Sequence, residues 1–182
     1  MQITDGFNPG DDEIVISILK KWSGGQIGNE LFYTIAGMMP TTGVVVVIIH
    51  NPSDPEIIFV TRPSDDPLLK SQLNLPGKLF LNADFNRSDK FPANGPLERI
   101  TKDEIESDFP KKPEYVGVSL NSDTRGSWAV LVYIIELENK SLYRGVGEWI
   151  KMSKISDRKD IIQTEVNHIN LVLGKINCTD IL

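Results

Sequence analysis

The chain has little of what marks a specialised class of protein. Its 182 residues include one cysteine, Cys178. A single thiol forms no internal disulfide and offers no zinc cluster. Such sparse cysteine use is compatible with a reducing cytoplasm, the expected location. Long apolar runs are missing: the most apolar stretch, 43–49, falls far short of the roughly 20 residues that span a bilayer. The start, 1–12, is polar and acidic with no basic n-region, so no signal peptide and no membrane partner are expected. Positive charge is not in excess either. A net charge of −6 argues against long nucleic acid, which is held mainly through its phosphates, as the main partner. A small anionic ligand remains open where a metal ion or a local basic pocket neutralises it.

Familiar catalytic signatures are absent too. There is no P-loop, no Gly-x-Ser-x-Gly, no His-Glu-x-x-His and no dinucleotide fingerprint. The two histidines, His50 and His168, lie far apart and form no recognisable pair with Cys178. Each reads as structural. Trp128, Tyr143 and Trp149 read as core or hairpin packing.

What is present is a clear order of elements. Residues 11–22 predict a short helix with Ile14, Ile18 and Leu19 on one face, capped by Asp11 or Asp12. Residues 30–37 fit strand or helix equally. The β-branched run 43–50 predicts a strand buried on both faces. The turn cluster 51–55 joins it to a second strand, 56–61, as a hairpin. An exposed excursion, 80–95, leads through Gly95-Pro96 into a helix over 97–107, closed by Pro110 and Pro113. Strands are expected over 115–120 and 128–137, separated by a loop at 121–126. A last helix is expected over 158–173, stopped by Gly174. Strands, one helix, more strands and a final helix predict a mixed α/β (α+β) fold, a mixed β-sheet sandwiched between helices. The expected organisation is a lead-in with its own helix (1–42), one domain (43–174) and a tail (175–182).

The segment Ile58-Phe-Val-Thr-Arg62, followed by Leu73-Asn-Leu-Pro-Gly-Lys78 and by Leu97-Glu-Arg-Ile-Thr-Lys-Asp-Glu104, resembles the Nudix hydrolase family. That family has a strand ending in arginine, a glycine turn, and a helix carrying an Arg-Glu-x-x-Glu-Glu box. The strand 128–137 and the Glu148-Trp149 pair before the last helix are similar to its layout, so the resemblance spans about 43–173. It implies a Nudix-like fold and a hydrolase of a nucleoside diphosphate linked to another moiety. It also implies a Mg²⁺ or Mn²⁺ cofactor. A diphosphate concentrates negative charge, and a hard cation held by carboxylate oxygens neutralises it and polarises a phosphorus.

Carried over residue by residue, Asp103 and Glu104 are the metal ligands. Arg99 orients a carboxylate by bidentate hydrogen bonding. Arg62, Gly77 and Lys78 are the substrate-binding group. The general base would come from Asp84, Asp89 or the 121–125 loop. Three departures stand out. Lys78 replaces a second turn glycine, an insertion separates Gly77 from Arg99, and Ile100 occupies the place of the first helical glutamate. At 3.6 residues per turn Ile100 and Glu104 share a face, so the metal edge keeps two acids of three. Leu97, Thr101 and Ile105 are the expected core stripe. Glu106 replaces the glycine after the acidic pair.

The plainer explanations are a solvated helix edge for the acids, a surface ion pair for Arg99 and a turn requirement for Gly77. Ile100 motivates the alternative function: a catalytically inactive domain of the same scaffold that binds a nucleotide or a protein. Replacing Ile100 with glutamate is the test of this alternative: activity that appears or rises would show that the site is otherwise intact. The expected partner is a small phosphorylated or nucleotide ligand, and any self-association is expected to be a homodimer, the commonest homo-oligomer.

Overall fold

The computed structural model describes Ser17 and residues 41–85, 92–105, 112–123 and 126–179. The helix expected over 11–22, of which only Ser17 is described (as helical), and the ambiguous segment 30–37 lie otherwise outside the described residues. In order along the chain come β1 (Thr41–His50), β2 (Glu56–Thr61), β3 (Leu73–Asn74), β4 (Gly77–Leu79), α1 (Asn82–Phe85), α2 (Asn94–Glu104), β5 (Glu114–Asp123), β6 (Gly126–Leu137), β7 (Glu148–Lys151) and α3 (Gln163–Thr179). Short 3-10 turns at Lys140–Leu142 and Met152–Asp157 flank β7. No helix among the described residues is long and apolar enough to cross a membrane.

The expected mixed sheet with helices on its faces is the architecture that forms. Among the described residues seven strands form the sheet, in the order β3-β2-β1-β6-β5, with β4 paired to β1 and β7 to β2. Only the β1–β6 pair is parallel among the described strand pairs. That pair lies in the middle, which explains the unbroken apolar run in β1. Val44, Val46 and Ile48 point to the face covered by α2, together with Ile58, Tyr133 and Ile135. Val47 and Ile49 point the other way, towards Ile169 and Val172 of α3. With both faces covered, alternation has no purpose. The β1–β2 hairpin turns at Asn51, whose φ of 54° puts it in the left-handed region that asparagine tolerates.

Four element ends depart from expectation, each for a tertiary reason. β5 does not stop at Leu120 but continues to Asp123, directly opposite Gly126. Its polar end looks like a loop because its partners come from α3. The Asn121 amide donates to Ser119 Oγ (2.7 Å) and to His168 Nε2 (3.1 Å). Its oxygen accepts from Asn167 (3.0 Å). His168, 3% exposed, then donates from Nδ1 to Glu165 Oε2 at 3.1 Å. This chain of bonds fixes the imidazole tautomer and makes the histidine part of the α3–β5 seam. His50 likewise donates from Nδ1 to the Leu137 carbonyl, 3.0 Å away.

α2 ends at Glu104, short of the proline signals, because Ile105 turns extended, buries its side chain and pairs with Tyr143. α3 begins later than expected. Residues 160–162 instead bond to Leu73, through Leu73 N to Asp160 O (2.8 Å) and Ile162 N to Leu73 O (3.0 Å). It also runs past Gly174 to Thr179. Lys175 holds the extra turn down, donating to the Tyr115 carbonyl (2.7 Å) and to Glu114. An added Cβ on Gly174 would meet nothing within 4 Å. Gly174→Ala is therefore expected to stabilise the protein by about 0.5–1 kcal/mol, through backbone entropy alone. Thermal denaturation should show the midpoint rising by about 1–4 °C.

Candidate functional site

β4 and α2 meet on the sheet face that carries Val44. Gly77 lies in β4, paired with Val45, and not in a turn. A Cβ there would sit 3.1 Å from the Val44 carbonyl and 3.1 Å from Val45 Cγ2. Close approach of two strands therefore accounts for the glycine. The next residue, Lys78, pairs with Val44, so its backbone is fixed beneath the C-terminal half of α2.

Arg99 is the keystone between β4, α1 and α2. Its Nη1 donates to Asp84 Oδ1 (2.7 Å), and its Nη2 donates to Asp84 Oδ2 (3.0 Å) and to the Leu79 carbonyl (2.8 Å). The arginine does orient a carboxylate, that of Asp84, the acid nearest after the glycine and a candidate base. Both Asp84 oxygens are committed, since Oδ2 also accepts from Leu81 N at 2.7 Å. The Asp84 side chain is 4% exposed. Gly95, in the first turn of α2, makes room for it: a Cβ at that position would overlap the Asp84 carboxylate. Asp89, Glu106 and Arg125 lie outside the described residues.

Ile100 does not line an open edge. It is 0% exposed, in the cluster with Val44, Val46, Ile48, Ile58 and Tyr133. The buried row of α2 is Gly95, Pro96 and Ile100. Leu97 and Thr101, expected as the core stripe, are half-buried on the flank, and the Thr101 hydroxyl bonds back to the Leu97 carbonyl at 3.0 Å. Ile105, the third residue of that stripe, is buried in the same cluster and Leu97 packs against it, while Ile100 lies deepest in place of Thr101.

The two acids that follow have partners of their own. The Lys78 ammonium lies 3.1 Å from Asp103 Oδ2, with the side chains 35% and 50% exposed. Glu104 Oε2 accepts from the Tyr143 hydroxyl at 2.8 Å. Burial first, and then that bond, push the Tyr143 phenol above its ordinary range. The segment around Tyr143 is fastened to the end of α2. Arg144 N donates to the Glu104 carbonyl (2.8 Å), and its Nη2 donates to the carbonyls of Ile105 (2.6 Å) and Lys102 (3.1 Å). Arginine thus satisfies carbonyls that the helix end leaves unpaired. Behind Tyr143, its ring meets Trp149 edge-on at 6.2 Å, and Trp149 meets His50 at 6.1 Å.

A Cβ on Gly145 would overlap both the Glu104 carboxylate and the Tyr143 hydroxyl. Gly145→Ala is expected to part that pair and to cost about 1–3 kcal/mol, as overpacking plus a lost hydrogen bond. A spectrophotometric titration should then find the Tyr143 phenol ionising at lower pH than in the parent protein, and still above its ordinary range because its burial remains.

Arg62 stands apart from this group. Its Nε donates to Asp66 Oδ2 (2.9 Å), and Nη2 donates to the same oxygen. Asp66, its side chain 1% exposed, also accepts from the backbone of Leu68 (3.0 Å) and Leu69 (2.9 Å). The guanidinium closes the turn after β2. The structure therefore brings together Lys78, Arg99, Asp103 and Glu104, and adds Asp84, Gly95, Tyr143, Arg144 and Gly145. Of the added residues, Asp84 had a signal in the sequence, as the nearest acid after the glycine. Tyr143 had none.

A divalent ion such as Mg²⁺ needs several converging oxygen ligands. Among the described residues no three histidine, cysteine or acidic side chains gather to hold one. Asp103 faces an ammonium, Glu104 is taken by a hydroxyl, and the adjoining position on their helix is the dry Ile100. Among the described residues this donor set does not fit a resident divalent metal.

No protein-family model matches the sequence, and no curated protein is similar to it in sequence. Solved structures are similar in fold. One is the Nudix domain of Shewanella oneidensis NrtR, complexed with ADP ribose: 14% identity, 76% of this chain and 89% of that one, TM-score 0.57. Another is the C-terminal domain of mouse MUTYH, in a complex with human PCNA: 12% identity, 76% and 91% coverage, TM-score 0.56. A third is the MutT protein of Methanosarcina mazei Go1: 12% identity, 75% and 96% coverage, TM-score 0.52. The chain has a Nudix-like fold.

Proposed function

We propose that the chain is a binding module on a Nudix-like scaffold, which takes a small phosphorylated or nucleotide-like ligand without hydrolysing it. The observation that carries this reading is Ile100, 0% exposed in an apolar cluster on the face of α2 that Glu104 shares. The pairing of Asp103 with Lys78 and of Glu104 with Tyr143 supports it. Both acids are used within the protein. The NrtR Nudix domain, with ADP ribose bound, suggests the first probe. The expected unit of function is the 43–174 domain.

Calorimetric titration with ADP-ribose in chelator is expected to show saturable binding that added Mn²⁺ does not change. A panel of dinucleotides and nucleotide sugars at high protein concentration is expected to yield no mononucleotide. Metal-dependent release of a mononucleotide would overturn this reading. It would favour the second one, a Mg²⁺- or Mn²⁺-dependent hydrolase of a nucleoside diphosphate linked to another moiety, with Asp103 and Glu104 as ligands. One observation favours that second reading: Arg99, Asp84 and Gly95 still lock the glycine strand to the helix. A folded protein with neither binding nor turnover would point to a protein-interaction role.

A further inference from the structure

We propose that Lys78 is this site's own cation: its ammonium rests on Asp103 and transfers to the diphosphate of an incoming ligand, doing the neutralising work without a metal ion. This rests on the binding-module reading above. A chain of net charge −6 can hold a diphosphate only where positive charge is concentrated locally. Three arginines, two beside α2 and one at the turn after β2, are held firmly by partners of their own. Arg99 grips a carboxylate that is 4% exposed, and also the Leu79 carbonyl. Arg144 is spent on the carbonyls that end α2. Arg62 is bound to Asp66, whose side chain is 1% exposed. Drawing any of these away would strand a buried charge or unpaired carbonyls.

Lys78 differs from all three. Its partner Asp103 is half-exposed, and water replaces the lysine there at little cost. Exposed pairs of this kind favour contact by a factor of about five or less. The ammonium is also well placed. Its backbone is pinned in β4 against Val44, and it leaves on a flexible stem with three donors that suit a phosphate. The neighbouring acid, Glu104, is held by Tyr143, which reduces competition for the lysine.

The test titrates the full chain with ADP and with inorganic pyrophosphate in EDTA. It compares the parent protein with Lys78→Gln and Asp103→Asn. Because the pair is exposed, both variants are expected to keep the parent's thermal midpoint within about 2 °C. Lys78→Gln is expected to weaken both probes by tenfold or more and to flatten the salt dependence of binding. Asp103→Asn is expected to tighten them by up to about fivefold, since the lysine loses its competitor. If Lys78→Gln binds like the parent, if Asp103→Asn weakens binding, or if the parent binds only with Mn²⁺ present, the assignment of Lys78 is overturned while a ligand-binding module still stands. If the folded parent binds neither probe in either buffer, the binding-module reading falls and takes the Lys78 assignment with it.

Discussion

Ile100→Glu is expected to unfold the protein, or nearly so, and not to create a working metal site. Ile100 has no exposed surface and sits between Val46, Ile48 and Tyr133. An ionised carboxylate placed there without a partner costs several kcal/mol, even after the surroundings relax. That is a large part of the roughly 5–15 kcal/mol that holds a typical domain together. Ile100→Ala is the control. It leaves only a cavity, worth about 2–5 kcal/mol, and no titrating group, so the part of the difference between the two variants that changes with pH reports the charge. The deficit of Ile100→Glu should also deepen as pH rises. Burial raises the acid's pKa, so the penalty is small below about pH 4, where both states are protonated, and grows above it. Urea unfolding at two pH values measures both effects. Parent-like stability in Ile100→Glu would mean that this face of α2 is open to solvent, as the sequence alone suggests.

The second large effect is expected at Arg99. Arg99→Ala leaves Asp84 buried against Gly95 with two of its hydrogen bonds gone. Removing one partner from a buried ion pair costs about 3–5 kcal/mol. Arg99 itself is about one-third exposed (32%), so water can reach part of the gap, and a loss of about 2–4 kcal/mol is expected. For a chain of this size the thermal midpoint should fall by roughly 4–16 °C. Arg99→Lys should recover only part of that, because an ammonium cannot bond both oxygens and the Leu79 carbonyl in one plane. The double variant Arg99→Ala, Asp84→Ala should be less destabilised than the sum of the two single changes, by about 0.5–3 kcal/mol. Strict additivity would show that the pair does not act as a unit.

Much of the fold was legible in the sequence because local pattern and tertiary role coincide there. The β-branched run of β1 is continuous for a structural reason: α2 covers one of its faces and α3 the other. The core residues of α3 recur at helical spacing for the same kind of reason. Legibility failed where a distant partner decides the outcome. Asn121–Asp123 looks like a loop until His168 and Asn167 supply its hydrogen bonds. Gly174 looks like a stop until Lys175 ties the next turn to β5.

The site is split in the same way. Helical spacing shows that Ile100 and Glu104 share a face, but not whether that face meets water or the sheet. Pro96 and Ile100 lie one position from Leu97 and Thr101, and only the sheet beneath decides which pair is buried deepest. Tyr143 comes to Glu104 from 39 residues away, and no spacing rule predicts that. Arg99 and the two acids could be found from their resemblance to a box. Asp84 stood out as an acid after the glycine, but that it is buried and pairs with Arg99 is decided by the packing.

The central claim is that Asp103 and Glu104, beside the buried Ile100, do not together form a divalent-metal site. Electron paramagnetic resonance of Mn²⁺ titrated into the parent protein tests it most directly. No saturable one-to-one site is expected, and the free-ion signal should track the total added. A stoichiometric Mn²⁺ site that disappears in Glu104→Gln and in Asp103→Asn would contradict the account.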